Sequence, residues 1–275
     1  MAYDGSAFRG WERQRRGEAT VRAALEEALA PLAGGAVRVR AAGRTDAGVH
    51  AAGQVVDLAL EREIAPERLV RAVNARLPGA ARVYAAEPVE EAFDARRWAR
   101  AKSYVYVVWT EGEPPPFLRG RLWAPGRRLE LEPMRRVAAG LAGLHDFRAY
   151  QAAGRPVAST RRRVERVEVE RRGPVVLVRV TAQGFLYRMA RRIVGALAAV
   201  GAGALDEAEP LRALETGRLR AATAPPEGLC LAEVRYDLAE PREVERARRL
   251  QLAAWCPWAA GEEASGALTP FHGGG

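Results

Sequence analysis

The sequence is poor in the residues that most often build disulfides, metal sites and membrane spans. Its 275 residues include only two cysteines, Cys230 and Cys256, and three histidines without the spacing of metal ligands. The longest apolar run, residues 193–205, is too short to cross a bilayer. The first residues do not have the pattern of a signal peptide. These shortages argue against a disulfide-stapled, metal-dependent or membrane-spanning protein and favour a reducing, cytoplasmic compartment.

Lysine is nearly absent, since Lys102 is the only one, and arginine carries almost all of the positive charge. Lysine and arginine together total 43 against 34 acidic residues, which gives a formal net charge of +9. Such a surplus favours a polyanionic partner, with nucleic acid ahead of an anionic membrane. A GC-rich coding bias would also produce this abundance of Arg, Ala and Gly, so composition alone does not decide the matter.

Predicted helices and strands alternate along the chain, and several neighbouring strands are joined by short links. Thr20 is placed to cap a first helix and Pro66 to begin a second. Short links favour an α+β fold with antiparallel pairing over a doubly wound parallel sheet. Strands are predicted at residues 37–39, 55–60, 83–85, 104–109, 163–170, 175–180 and 229–236, and further helices from Pro133 and over residues 185–200.

The chain divides into two halves of similar content, followed by a segment of different character. We expect an N-terminal α/β domain at residues 1–97, a C-terminal α/β domain at 98–237, and an extension at 238–275 without an assigned function. Within the extension, residues 241–252 are predicted to form a charged helix and residues 261–275 a loose tail.

A glycine-flanked loop between two predicted strands contains the residues best suited to catalysis. Residues 43–50 read GRTDAGVH, and the glycines let the backbone bend and approach a ligand closely. Beside Arg44, Asp46 can be held ionised and aimed outward, where a carboxylate serves as nucleophile or base. The residues alone also allow a structural role, in which Asp46 forms an Asx turn and Arg44 a surface ion pair.

The same loop resembles a family signature. Residues 43–51, GRTDAGVHA, are similar to the signature of the tRNA pseudouridine synthases that modify the anticodon stem-loop, in which this Asp is the nucleophile. The resemblance implies an isomerase that converts uridine to pseudouridine at tRNA positions 38 to 40, works as a homodimer and needs no cofactor or metal. It covers roughly residues 1–237, because other family-like blocks recur in order at residues 3–11, 74–78, 93–96, 185–195 and 228–231.

The resemblance also implies roles for residues in other segments. Tyr104 matches the family's active-site tyrosine, which stacks on the target ring, and Arg191 matches the arginine that pairs with the nucleophile. Lys102 stands where the family usually has arginine, which keeps a basic phosphate contact but loses bidentate geometry. Leu229 is expected to line the pocket under the base. The remaining residues expected to bind substrate are Arg44, Arg188 and Arg192.

A cleft between the two halves would bring these segments together. We therefore expect an α+β fold in which two similar halves share an extended, mostly antiparallel sheet, with helices on one side. The target base is expected to flip out of the stem-loop into the cleft. Additional candidates for contacts to the RNA backbone are Arg13, Arg15, Arg16, Arg96, Arg97 and Arg100.

An alternative from another class is a tRNA-binding or tRNA-folding protein without chemistry. The GRTD segment speaks against it, because a binder does not need a carboxylate that faces a polyanion.

The only sign of a homodimer in the residues themselves is an apolar group around the proline-rich loop. We expect several of its members to be exposed on a single chain and to mark an interface. The other possibility is that the loop folds back on its own core. The members are Trp109, Phe117, Leu118, Leu122 and Trp123.

Overall fold

The computed structural model describes residues 1–14, 17–34, 37–154, 156–238 and 242–259. Arg15, Arg16 and the predicted tail lie outside the described residues. The strands are β1 (Ala2–Tyr3), β2 (Arg40–Ala41), β3 (His50–Ala51), β4 (Val56–Asp57), β5 (Ala81–Arg82), β6 (Ala101–Trp109), β7 (Gly143–Asp146), β8 (Arg161–Arg172), β9 (Val175–Ala182) and β10 (Leu229–Arg235). The helices are α1 (Val21–Ala33), α2 (Pro66–Asn74), α3 (Leu131–Gly140), α4 (Met189–Gly201), α5 (Ala208–Thr216) and α6 (Arg242–Trp255).

Eight strands form one sheet in the order β5-β1-β3-β10-β6-β9-β8-β7, and β2 pairs with β4 separately. Neighbouring strands are antiparallel except β3 and β10, which run parallel. The predicted α+β class with a mostly antiparallel sheet is confirmed. The β3–β10 pair joins segments from before and after residue 97, and the division into domains at that point stays a prediction.

Strand β6 lies in the middle of the sheet, and all of its residues are buried. Because side chains alternate along a strand, Tyr104 and Tyr106 face the main core, which α1, α3, α4 and α5 help to form. Val105 and Val107 face a smaller core, to which α6 contributes Leu252. Most helices therefore pack on one side, as expected, while the predicted charged helix of the extension packs on the other. Within the described residues, no helix is long and apolar enough to cross a membrane.

The proline-rich loop folds back on the sheet instead of forming an exposed apolar patch. Trp109 and Leu122 are buried in the smaller core, and Leu118 packs against it. Trp123 is drawn in because its backbone exchanges hydrogen bonds with β6, at 2.7 Å to the Trp109 amide and 3.0 Å to the Val107 carbonyl. The expectation of several exposed members is wrong, since only Phe117, at 76% exposure, is open to solvent.

Two predicted strands are loops because side chains take the backbone bonds that a neighbouring strand would supply. The Val39 amide donates to the Glu26 carboxylate at 3.4 Å. The Asn74 side chain bonds both backbone groups of Val83, at 2.7 and 2.9 Å. Strand β5 ends at Arg82, just before Val83, so this edge strand begins two residues earlier than the strand predicted at residues 83–85.

Helix α4 begins four residues later than predicted, at Met189. Arg188 has a φ of 60°, in the left-handed region, and is the only such residue other than glycine in the described parts of the chain. A residue in this conformation cannot continue a right-handed helix. The segment before Met189 is therefore a turn that leads into α4.

A close contact of Gly195 on α4 fixes the segment that holds Arg191. A Cβ at Gly195 would lie 1.9 Å from the Ala222 carbonyl oxygen. Nearby, the Ala224 carbonyl accepts a hydrogen bond from the Arg191 guanidinium, and the Ala224 amide donates one to the Arg191 carbonyl. Alanine would gain about 1 kcal/mol in helix propensity, but the clash should cost roughly 3 kcal/mol. Urea unfolding of Gly195→Ala should therefore show a net loss of stability. The control Gly79→Ala faces open space and should change stability by less than about 0.5 kcal/mol; equal effects would contradict the close contact.

Candidate functional site

Two N-terminal aromatic residues hold the loop that carries Asp46. The Tyr3 hydroxyl and the Thr45 hydroxyl are hydrogen-bonded at 2.9 Å, and the Trp11 amide donates to the Thr45 carbonyl at 3.0 Å. Gly48, with a φ of 79°, closes the turn as the Val49 amide bonds the Asp46 carbonyl. The backbone of Asp46 is thus fixed directly ahead of β3, while 22% of its side chain remains exposed.

Arg191 is the closest charged partner of Asp46. Its Nη1 donates to Asp46 Oδ2 at 3.1 Å, and its Nε donates to the Ala224 carbonyl oxygen at 2.7 Å. Only 10% of the Arg191 side chain is exposed. Two acceptors therefore orient one guanidinium, and a charge-assisted bond of this kind holds the carboxylate in place.

Arg188 provides a second, looser cation at the same carboxylate oxygen. Its Nε lies 3.9 Å from Asp46 Oδ2, and 41% of its side chain is exposed. The guanidinium carbon lies 4.9 Å from the centre of the Tyr187 ring, within the range of a cation–π contact. Arg188 and Arg191 therefore approach the same oxygen of Asp46, and Arg188 does so from the turn that leads into α4.

Tyr104 brings an aromatic ring to the site from β6. The ring packs edge-to-face on Phe185, with centroids 4.9 Å apart. Its hydroxyl oxygen would lie 3.6 Å from a Cβ at Gly43, which places it beside the Asp46 loop. Burial raises the pKa of Tyr104 far above its usual value, and Tyr3 and Asp46 add to the effect. The phenol therefore stays protonated at neutral pH.

Lys102 lies on the same face of β6 as Tyr104 and is 9% exposed. Its Cδ would also lie 3.6 Å from a Cβ at Gly43. Burial, with a smaller effect from Arg96, lowers the pKa of Lys102 to about 8. The structure thus brings Asp46, Arg191, Arg188, Tyr104 and Lys102 together around one loop.

The other residues expected to bind substrate have different surroundings. Arg44 is exposed and forms an ion pair with Glu12 at 2.8 Å. Arg192 donates to the Ala149 carbonyl at 3.2 Å, so its guanidinium ties α4 to a neighbouring turn. Leu229 is buried on β10 opposite Tyr106. Roles in substrate binding for these three residues stay predictions.

The candidate RNA-backbone arginines also differ in their partners. Arg13 forms an ion pair with Glu26 at 2.7 Å, and Arg100 pairs with Asp237. In the described residues, no side-chain hydrogen bond or ion pair involves the guanidinium of Arg96 or Arg97. Among the described candidates, Arg96 and Arg97 are therefore exposed cations whose charge is open to a polyanion.

Sequence reasoning missed Gln54, which is fully buried behind the loop. Its amide donates to the Gly43 carbonyl at 2.8 Å and to the Tyr3 hydroxyl at 3.1 Å, and it accepts from the Gly43 amide at 3.4 Å. In the sequence, the signal for Gln54 is a single glutamine inside an apolar segment. The sequence carries no such signal for Ala224, because its backbone carbonyl, and not its side chain, orients Arg191. The described residues contain no group of three or more His, Cys, Asp or Glu placed to hold a metal ion.

Comparisons with known proteins found relatives over most of the chain. A family model described as tRNA pseudouridine synthase matches residues 1–96 and 137–237, which include Asp46 and Arg191 but not Tyr104. The chain is similar to the tRNA pseudouridine synthase A of Methylacidiphilum infernorum, with 43% identity over 86% of this chain and 93% of the relative. The enzymes of that name from Beijerinckia indica and Moorella thermoacetica are 41% and 42% identical over 86% of this chain, and 92% and 97% of their own lengths. A solved structure titled "Crystal Structure of a Cbf5-Nop10-Gar1 Complex" matches 60% of this chain and 36% of its own at 18% identity, with a TM-score of 0.28.

Proposed function

The chain belongs to the tRNA pseudouridine synthase family, and from this premise we propose that it acts on the anticodon stem-loop, at tRNA positions 38 to 40, with Asp46 as its nucleophile. The observation that carries the proposal is the Asp46–Arg191 contact beside Tyr104, which gathers three distant segments of the chain around one carboxylate.

The proposed reaction rearranges bonds within one nucleotide. The Asp46 carboxylate adds to the uridine, and the N1–C1′ glycosidic bond breaks. The freed uracil turns, its C5 bonds to C1′, and the C5 hydrogen leaves to solvent as N1 gains a proton. The bond between Asp46 and the nucleotide breaks in turn, which restores the free carboxylate. Substrate and product have the same atoms, so no oxidant or group donor is needed. Arg191 would keep the carboxylate oriented, and Tyr104 would stack on the ring while it turns.

We further propose that the enzyme is cytoplasmic, needs no cofactor and works as a homodimer. Both cysteines are free and buried, which suits a reducing compartment. The homodimer rests on the family resemblance, with Phe117 as the one large exposed apolar side chain of the proline-rich loop. Light scattering of the purified chain that gave a monomeric mass at full activity would refute the dimer.

The experiment that tests the assignment maps pseudouridine in tRNA transcripts treated with the purified protein. Carbodiimide modification followed by primer extension should show new stops at positions 38 to 40 and nowhere else in the tRNA. Pseudouridine found only elsewhere in the tRNA would agree with the family's reaction but overturn the proposed target positions. Tight binding with no pseudouridine at all would support the tRNA-binding alternative.

A further inference from the structure

His50 is a buried polar residue shortly after Asp46 in the chain, and both nitrogens of its ring are hydrogen-bonded. The residue is 1% exposed. Nδ1 accepts from the Gly5 amide at 3.1 Å, and Nε2 lies 2.7 Å from the Gly120 carbonyl oxygen and 3.1 Å from that of Glu227. A carbonyl oxygen only accepts hydrogen bonds, so Nε2 carries a proton that the two carbonyls share. The ring therefore connects β3 to three other parts of the chain.

The rest of the His50 ring is enclosed by other side chains. Asp4 Oδ1 lies 3.3 Å from Nδ1 and accepts from the Ser6 amide and hydroxyl, at 3.0 and 2.6 Å. The Trp255 ring of α6 lies 5.6 Å from the imidazole, centre to centre. A residue enclosed in this way can act on a reaction only through the groups that it holds.

One of the two carbonyls belongs to a short segment, residues 224–228, that contacts both sides of the site. A Cβ at Gly48, in the turn that follows the carboxylate, would lie 3.1 Å from Pro226 Cγ. At the other end of the segment, the amide and the carbonyl of Ala224 both bond Arg191, at 3.1 and 2.7 Å. Two of the five residues are prolines, whose fixed φ limits bending. A displacement at one end of the segment should therefore reach the other end.

These bonds form a closed circuit through the Asp46–Arg191 contact. One side runs along the backbone from Asp46 to His50 and crosses to Glu227. The other side returns along the segment to Ala224 and from there to Arg191. We propose that His50 is a positioning residue, which sets the placement of the Arg191 guanidinium against the Asp46 carboxylate by holding this segment to β3. The inference rests on the proposed function, because that carboxylate is the proposed nucleophile.

The first test replaces His50 with two amides that keep different parts of its hydrogen bonding. In His50→Gln the amide nitrogen takes about the place of Nε2, so a donor to both carbonyls is kept. In His50→Asn the shorter side chain can accept from the Gly5 amide but does not reach Glu227. His50→Asn should lower the single-turnover rate roughly tenfold, while His50→Gln should stay within about threefold of wild type. A wild-type rate in His50→Asn, or equal losses in the two variants, would overturn the proposal.

His145→Asn is the matched control for His50→Asn. The Nε2 of His145 also bonds a backbone carbonyl, that of Ala142 at 2.8 Å, but on β7, an edge strand far from β3 in the sheet. The control should lower stability in urea and leave the single-turnover rate within about twofold of wild type. If it slowed the reaction as much as His50→Asn, general destabilisation would account for both and the positioning role would be refuted.

The second test asks whether His50 acts through Arg191. In the Arg191→Met background the group that His50 positions is absent. Adding His50→Asn to that background should therefore lower the rate by less than about twofold. A further tenfold loss would show that the two residues act independently, which contradicts the proposal.

The third test needs no reaction and separates this inference from the proposed function. The Arg191 Nε proton bonds the Ala224 carbonyl, so it should exchange slowly with water in NMR spectra, where its signal is the one lost in Arg191→Lys. Exchange should be roughly tenfold faster in His50→Asn than in wild type or His145→Asn. Unchanged exchange would overturn the positioning role even in a chain that makes pseudouridine. Faster exchange in a chain that makes none would support the positioning of Arg191 and refute only the proposed function.

A fourth measurement uses the wild-type chain alone and does not depend on the folding of His50→Asn. The chain has three histidines, so isotope-labelled histidine gives a simple NMR spectrum, in which the His50 signals are those lost in His50→Gln. Nε2 of His50 should carry a proton. An unprotonated Nε2 would leave both carbonyls without their donor, and the proposal would then be wrong.

Discussion

Replacing Asp46 with asparagine should abolish pseudouridine formation while tRNA binding stays within about tenfold of wild type. The substitution keeps the size of the side chain and a hydrogen-bond acceptor for Arg191, but an amide cannot act as the nucleophile. Binding should survive because the loop is held by the Tyr3–Thr45 hydroxyl contact and the Trp11–Thr45 backbone hydrogen bond rather than by the carboxylate. The measurement is nucleoside analysis of treated tRNA beside a filter-binding titration.

Asp206→Asn is the matched control for this variant. Asp206 is an exposed carboxylate, with 72% of its side chain open to solvent, and lies on the turn before α5. The Asp206→Asn variant should form pseudouridine at the wild-type rate. Normal product from Asp46→Asn would remove Asp46 from the reaction, whereas loss of binding by more than about a hundredfold would make its role one of docking.

Replacing Arg191 with methionine should lower the single-turnover rate by roughly 10- to 150-fold, which corresponds to the loss of one charge-assisted bond worth about 1.5–3 kcal/mol. The long apolar side chain fills the same buried volume but leaves Asp46 without its nearest donor and the Ala224 carbonyl unpaired. Arg191→Lys should recover part of the rate, because an ammonium restores charge but cannot reach both acceptors in the same geometry.

Arg192→Met is the control for Arg191→Met, since the neighbouring arginine bonds the Ala149 and Leu219 carbonyls and makes no ion pair with Asp46 in the described residues. It should lower stability in urea while leaving the single-turnover rate within about threefold of wild type. Equal rate losses in the two variants would mean that α4 as a whole, and not the Asp46–Arg191 contact, supports the reaction.

The sequence was informative where a side chain carries its own signal. The GRTDAGVHA segment singled out Asp46, and the strand predicted at residues 104–109 lies within β6, which carries Tyr104. The strands predicted at residues 163–170 and 175–180 form β8 and β9, which pair antiparallel along most of their length. These features depend on local periodicity and on turn residues, which can be recognised in a single sequence.

Features set by backbone contacts could not be predicted in this way. The left-handed conformation of Arg188 moves the start of α4, although arginine is a favourable helix residue. Ala224 orients Arg191 through its carbonyl, which carries no side-chain signal. The proline-rich loop appeared to offer an exposed surface because the backbone pairing of Trp123 with β6 cannot be read from apolar residues alone.

The measurement that tests the central claim most directly is tritium release from tRNA labelled at C5 of uridine. Formation of the C5–C1′ bond expels the C5 hydrogen, so wild-type protein should release tritium over many turnovers without added metal or cofactor. Asp46→Asn should release none while it still binds the tRNA. Tight binding of tRNA by the wild-type chain with no tritium released would contradict the account and leave a tRNA-binding protein in place of the enzyme.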